Sequence, residues 1–230
     1  MKNPGMRIIQ HFERPAKEDI EKFRGIPSAN ISDASSRLFG MCAAIRPMGK
    51  GKKVVGPALT VKSSMADNFI FHKALSMAQS GDVIVVNACG DMNQSVCGDV
   101  MFRYAQKQGI AGFVIDGCIR DVDYLKENDF PVYALGVTPR GPYKNPVGEI
   151  NTDIACGGQV IHPGDLIVGD EDGIVVVRKE DIDIIYQKVL EIQKKENLMG
   201  ELIESGQWEQ KSPILLLVEE QIQKLGFEII

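Results

Sequence analysis

Apolar residues follow two spacings along this chain, and the alternation between them sets the expected architecture. Val54 to Ser64 (VVGPALTVKSS) reads as a strand. Ile70, Ala74 and Met77 then fall on one helical face, with Gly81 as the stop. Val83 to Val86 is an unbroken β-branched run, the pattern of a strand buried on both faces. Met101, Tyr104 and Ala105 return to helical spacing. Gly112 to Asp116 (GFVID) is a further strand, with a turn expected at Asp116-Gly117. Val122 and Leu125 mark the inward face of another helix, and FPVYALGV a last strand. Strands alternating with short helices predict one α/β domain with a central sheet.

The flanks differ. Upstream, the pattern gives two helices separated by Pro27, with Ser32 or Asp33 as a cap and Gly40 as the end of the second. Downstream of the Gly/Pro-rich RGPYKNPVGEINTD, strands joined by tight turns are expected, with Asp172-Gly173 as a hairpin signal. From Lys179 onward the chain reads as helix, with Ile182, Ile185, Val189 and Ile192 on one stripe. The apolar tail SPILLLVEEQIQKLGFEII is a candidate interaction segment, and Trp208 is expected to anchor it. The expected organisation is one α/β domain over residues 1–178 and a C-terminal helical extension over residues 179–230, the latter a subunit contact.

Composition narrows the classes. The 230 residues are 44% hydrophobic and 25% charged, enough for a real core. A net charge of −5, with no basic block, argues against nucleic acid as a partner. No apolar run approaches the ~20 residues a membrane helix needs, so no membrane partner is expected. The N-terminal MKNPGMRIIQHFERPAKE lacks the apolar centre of a secretory signal, and a cytoplasmic location is the expectation. Five cysteines without a CxxC pair read as small buried hydrophobes rather than a disulfide framework or zinc site.

The chemistry-bearing stretch is GFVIDGCIRDVDYL, where Arg120 and Asp121 sit side by side between a buried strand and a helix. In α/β sheets, ligands bind beyond the carboxyl ends of strands. The preceding strand leads in the same way to Gly98-Asp99 at a helix start, a ready anion site. An arginine fork binds carboxylates, and an aspartate is a hard oxygen ligand. Together they suit a substrate with an anionic head and a metal-chelating oxygen. A bare helix cap at Asp121 beside a surface Arg120 is the plainer alternative.

The spacing Asp99-x20-Arg120-Asp121 resembles the signature of the class II pyruvate aldolases that act on 4-hydroxy-4-methyl-2-oxoglutarate and 4-carboxy-4-hydroxy-2-oxoadipate. These aldolases share their fold with the RraA regulators of ribonuclease activity. GDVIVV, DGCIRDVDYL, GVTPRG and PGDLIVGDEDGIVVV resemble segments of this family in the same order, over roughly Ile26 to Arg178. The resemblance implies a single layered α/β sandwich domain of the RraA-like type. It implies a lyase that releases pyruvate, decarboxylates oxaloacetate through the same enolate, and uses a divalent cation, Mg²⁺ or Mn²⁺. By the same resemblance Asp121 is the metal ligand and Arg120 holds the pyruvoyl group and stabilises the enolate. Gly98, Asp99, Val100 and Met101 form the loop that receives the substrate carboxylate, with Asp99 beside the metal's water shell. Glu196 is matched to a glutamate that reaches a neighbouring subunit's site in a homo-oligomer, a trimer or hexamer. The small-molecule partner implied is a 2-oxo acid. The competing expectation is a protein-binding regulator of ribonuclease activity.

Overall fold

Odd and even positions of Val83 to Val86 face two different cores in the computed structural model of the protein, which describes residues 3–228. Ile84 and Val86 pack with Leu59, Phe71, Phe102 and Phe113. Val83 and Val85 pack with Ala58, Val114, Tyr133 and Ile167. The period of two along a strand sends alternate side chains to opposite faces, and both faces are covered. That is why the run is apolar throughout.

The elements in chain order begin with β1 (Met6–Ile8), α1 (Lys17–Lys22), α2 (Ser28–Ala34), β2 (Arg46–Pro47), β3 (Val54–Lys62) and α3 (Phe69–Met77). Next come β4 (Val83–Ser95), α4 (Asp99–Lys107), β5 (Gly112–Ile119), α5 (Val122–Glu127) and β6 (Val132–Val137). Then follow β7 (Gly148–Ile150), β8 (Ile154–Cys156), β9 (Gln159–Ile161), β10 (Leu166–Asp170) and β11 (Gly173–Val177). The helices α6 (Ile182–Glu204), α7 (Trp208–Lys211) and α8 (Pro213–Leu225) close the chain. Two compact units result, one through Tyr186 and one from Gln187.

β3, β4, β5 and β6 lie side by side and parallel, each joined to the next through one helix. Successive right-handed crossovers in one direction put α3, α4 and α5 on a single face. Their residues Phe71, Phe102 and Leu125 share one core with the sheet. The other face is covered by Ile154 and Ile161 of the β8–β9 ribbon and by Ile167, Ile174 and Val176 of the β10–β11 hairpin. β3 serves both layers: Val54–Pro57 pairs antiparallel with β10, and Ala58–Lys62 runs parallel to β4. The fold is an α/β sandwich around a mixed sheet, followed by C-terminal helices.

Several local expectations are corrected. Ser32 and Asp33 lie inside α2 and cap nothing; the helix follows Pro27 and ends at Ala34. Its first N–H, on Ser28, donates to the Asp170 carboxylate at 2.7 Å, and the Ser28 hydroxyl donates to the same group at 2.6 Å. Left-handed backbone at Ser36 and Arg37 then stops the run well short of Gly40. No turn forms at Asp116-Gly117. β5 continues to Ile119, because Gly117 lets β4 come so close that a Cβ there would sit 2.8 Å from that of Ala88. The β10–β11 turn falls on Glu171-Asp172, one residue earlier than expected, and Gly173 (φ 142°) opens β11. Cys97, Cys118 and Cys156 are buried, but Cys42 and Cys89 are exposed.

Phe113 ties the helical layer together: its ring centroid is 5.1 Å from those of Phe71 and Phe130, edge-on to both, and it is fully buried. Phe113→Ala is expected to lower the unfolding free energy by about 3–5 kcal/mol, measured as a fall in the urea midpoint. A loss below about 1 kcal/mol, the size of a surface substitution, would mean that this core does not hold the sheet.

Candidate active site

The site begins with an irregularity in β4. The strand pairs regularly with β5 as far as Asn87 opposite Asp116; the next pairs are Asp91 with Gly117 and Ser95 with Cys118. Three residues of β4 therefore bulge out twice, beyond the carboxyl ends of the neighbouring strands. Left-handed backbone at Cys89 and Gly90 makes the first excursion. Asp91 organises the second by accepting from the Asn93 amide at 2.9 Å. The chain then returns alongside β5. The Val96 amide donates to the Cys118 carbonyl at 2.9 Å, and the Arg120 amide donates to the Cys97 carbonyl at 3.0 Å.

This return brings Gly98 against Asp121. A Cβ at position 98 would collide with Asp121 Oδ2 and lie 3.1 Å from Arg120 Cγ and Nε. Asp121 itself is left-handed (φ 59°, ψ 40°), at a cost of about 1–2 kcal/mol that aspartate bears better than most residues. It stands at the N-cap position of α5, yet its side chain does not cap that helix. Oδ2 instead accepts from the Asp99 amide, the first N–H of α4, at 3.1 Å. Arg120 Nε lies 3.4 Å from the same oxygen. The adjacent charges thus clasp two strand–helix junctions, β4–α4 and β5–α5.

Around this clasp lies a cleft of about 190 Å³. Gly98, Asp99, Val100, Met101, Arg120 and Asp121 line it together. Met101 is buried, while Val100 is 74% exposed. Asp99 Oδ2 also lies 3.4 Å from Arg103 Nε, whose guanidinium stacks over the Tyr124 ring. Five further lining residues were not singled out as site residues: Asn68, His72, Cys97, Pro142 and Lys144. His72 reads from sequence as packed or surface. Asn68 and His72 are four apart and so share a helical face, which was the available signal. Lys144 comes from the 139–147 loop, whose course no local pattern gives. Glu196 lies on α6 in the second unit, outside the residues that line this cleft. Arg140 contributes its carbonyl, which accepts from the Ser95 amide and hydroxyl, and its side chain is not among the lining groups.

The cleft is rich in donors. The positive end of the α4 dipole, the Arg120 guanidinium and the Lys144 ammonium all bear on it. Lys144 Nζ donates to Asn68 Oδ1 at 3.4 Å, and Asn68 Nδ2 donates to the Val96 carbonyl at 3.0 Å. Burial, then Asp121, push the Cys97 thiol well up despite Arg120, so it is no thiolate nucleophile. Burial, with Lys144 beside it, lowers His72, which is a neutral imidazole at pH 7. The arrangement can bind a small anion and stabilise negative charge that develops next to Arg120.

An α/β sandwich with a donor-rich cleft at the carboxyl ends of its parallel strands defines a class of folds that bind small ligands at that edge. The chain belongs to the RraA-like family (Aldolase/RraA), whose sequence model matches residues 28–176. It is 44% identical over 169 residues, 74% of this chain and 80% of its relative, to a putative 4-hydroxy-4-methyl-2-oxoglutarate aldolase of Halalkalibacterium halodurans. Among solved structures it resembles an uncharacterized protein from Pseudomonas syringae pv. tomato, with a TM-score of 0.73, 28% identity, and coverage of 85% of this chain and 96% of that one. It also resembles a Streptomyces coelicolor member of the RNase ES inhibitor RraA protein family, at a TM-score of 0.72, 28% identity, and coverage of 82% and 99%.

Two outcomes are expected from the clasp and the cleft. Gly98→Ala drives a Cβ into the Asp121 carboxylate and is expected to cost about 1–3 kcal/mol of stability. Adding Asp121→Gly, which removes both the collision and the strained φ, should restore part of that loss in urea unfolding. Simple additivity of the two changes would show that they do not meet. By NMR, His72 is expected to titrate below 6.5, and Lys144→Gln should raise its midpoint only in part, since burial is the larger cause.

Proposed function

We propose that the protein is a divalent-metal-dependent pyruvate aldolase. It would cleave 4-hydroxy-4-methyl-2-oxoglutarate or a related 4-hydroxy-2-oxo diacid and decarboxylate oxaloacetate through the same enolate. The observation that carries this reading is the clasp: Arg120 and Asp121 face one cleft together with the N-terminus of α4. The aldolase-named relative supports it.

The residues fit a divalent cation of the Mg²⁺ or Mn²⁺ kind. Asp121 Oδ2 is engaged by the Asp99 amide and Arg120, and among the described residues no hydrogen bond reaches Oδ1. No group of three or more His, Cys, Asp or Glu gathers among the described residues. Magnesium retains most of its waters and needs only one or two carboxylates, so Asp121 would hold it with Asp99 nearby. When bound, the cation would polarise the keto and carboxylate oxygens of a 2-oxo acid and share its enolate charge.

The chain's own groups do the rest. The N–H groups of Gly98 and Val100, at the start of α4, receive the substrate carboxylate, since that of Asp99 is given to Asp121 and that of Met101 to the Gly98 carbonyl. Arg120 directs its donors at the C2 oxygen and gains most when that oxygen becomes an enolate. In cleavage the C4 hydroxyl loses its proton, the C3–C4 bond breaks, and its electron pair enters the pyruvate enolate, which is then protonated at C3. Asp99 lines the cleft, and a water held beside it would take up the hydroxyl proton. In oxaloacetate the bond broken leads to carbon dioxide, and the enolate is the same. In this reading Glu196 completes the site of a neighbouring subunit in a trimer or hexamer.

A second reading, a regulator that binds a ribonuclease, draws on the likeness to the RNase ES inhibitor family. It gives no role to a donor-rich cleft, and pyruvate release by the purified protein separates the two. Chelation is expected to abolish that release, and Mg²⁺ or Mn²⁺ to restore it; full turnover after exhaustive chelation would end the metal-dependent reading.

Arg120→Lys keeps the charge but loses the planar fork. It is expected to lower kcat/KM by about 2–4 kcal/mol, the worth of one oxyanion donor, for cleavage and decarboxylation alike. Decarboxylation surviving alone would disprove the shared enolate. Mixing Glu196→Gln subunits with Arg120→Ala subunits should regain activity if the site is shared between copies.

A further inference from the structure

One wall of the cleft is an exposed loop, against the Arg120 guanidinium at Gly141 and held by one fully buried acid. Pro142 and Lys144 line the cleft from a segment, PRGPYKNP (Pro139 to Pro146), that carries three prolines. Gly141 to Asn145 are exposed or half-buried, and the segment has no helix or strand of its own. Its anchorage lies at the start of α3. The Tyr143 amide donates to the Ala66 carbonyl at 2.7 Å, and the Tyr143 carbonyl accepts from the Asn68 amide at 3.2 Å. The third attachment is a side chain. Asp67, at 0% exposure, accepts from the Asn145 amide through Oδ2 at 2.5 Å and from the Phe69 amide through Oδ1 at 2.8 Å.

That placement is expensive unless it achieves something. Burying an acidic group costs several kcal/mol unless its oxygens are bonded. Here one oxygen holds the start of α3 and the other holds the loop. An asparagine puts an NH2 in place of one of these two oxygens, facing an amide N–H, and so loses one of the bonds. A loop that only had to cross the surface needs no buried acid. The Asn145 bond fixes the residue next to Lys144, whose ammonium then donates to Asn68 Oδ1 beside the cleft.

We infer that Asp67 is a positioning residue: it latches residues 142–145 down as one wall of the cleft and sets Lys144 to meet the second anionic end of the substrate. This rests on the aldolase reading for the substrate and on geometry alone for the latch, so the two can fail separately.

The test uses the full chain and two variants that approach the latch from opposite sides, Asp67→Asn in the core and Asn145→Pro on the loop. Asn145→Pro works from the exposed loop: it deletes the donor and sets a ring carbon where the amide hydrogen met Asp67, so it forces the loop off the latch and keeps the question open if the core variant folds poorly. Hydrogen exchange of peptides spanning residues 139–147 is expected to quicken at least tenfold in both, while β4 and β5 stay protected. Unchanged exchange in the two variants would overturn the latch whatever the activity.

The kinetic arm compares a 4-hydroxy-2-oxo diacid, which has a second carboxylate, with pyruvate, which has none. KM for the diacid should rise about tenfold in both variants. The rate of C3 proton exchange into pyruvate should stay within about twofold, because enolate formation does not need the second anionic end. A parallel fall in both reactions would make Asp67 a general stabiliser and overturn the inference. If Asp67 acts through Lys144, Asp67→Asn added to Lys144→Met should raise the diacid KM no further than Lys144→Met alone. Additive effects would refute that route. A wild-type protein that cleaves no diacid would end the aldolase reading, and the exchange measurement would still decide the latch.

Discussion

One hydrogen bond organises the functional end of this molecule: the Asp99 amide donating to the carboxylate of Asp121. It joins the first N–H of α4 to the residue that opens α5. A helix start leaves backbone donors unsatisfied, and a local Ser, Thr, Asn or Asp usually supplies the acceptor. Here the N-cap of α4 is Gly98, which has no side chain, so the acceptor comes from 22 residues away. The glycine is a condition for this: any larger residue would occupy the space of the carboxylate that replaces its cap. Asp121 adopts a left-handed backbone to reach that position. Its strain, the missing side chain at 98 and the foreign cap are one arrangement.

The sheet makes the arrangement possible. Parallel neighbours with one-helix crossovers bring every strand-to-helix junction to the same edge, so β4–α4 and β5–α5 are adjacent by topology. In register alone, the end of β4 would stop level with Asp116. The two bulges carry it outward and return it at Ser95–Gly98, above the end of β5. Such a bulged strand needs firm footing, and Val83 to Val86 provides it, buried on both faces. The rigid core below and the irregular backbone above are parts of one strand.

How far the chain could be read from its sequence follows the same division. The strands of the parallel sheet were legible because burial on two faces writes an unbroken β-branched run at Val83 to Val86. Arg120 and Asp121 were legible as a charged pair at a strand–helix junction, and the structure gives Asp121 the start of α4 to hold rather than the α5 cap of the plainer alternative. What escaped was whatever depends on distant partners. The turn expected at Asp116-Gly117 is strand, since Gly117 is there for the approach of β4 rather than for a turn. Ser32 and Asp33 look like caps, but the cap of α2 is Asp170, from the other end of the domain. Asp121 sits where a cap should be and caps a different helix. Lys144 joins the cleft by folding alone, while Asn68 and His72 carried only their shared helical face as a signal. In each case a local rule named the right residue type and tertiary structure reassigned its partner.

The charge balance of the cleft decides what it can bind. Its titratable neutral members stay neutral, because burial disfavours charge on both the Cys97 thiol and the His72 imidazole. What remains is Arg120, Lys144 and a helix N-terminus set against Asp99 and Asp121. One oxygen of Asp121 is already taken by the Asp99 amide and Arg120, so part of its charge is answered within the fold. The field near Arg120 therefore favours an anion, while the open oxygen of Asp121 favours a cation close by. A monovalent ligand of either sign would satisfy only half of this. A 2-oxo acid bound together with a divalent cation, as proposed above, would satisfy both halves at once.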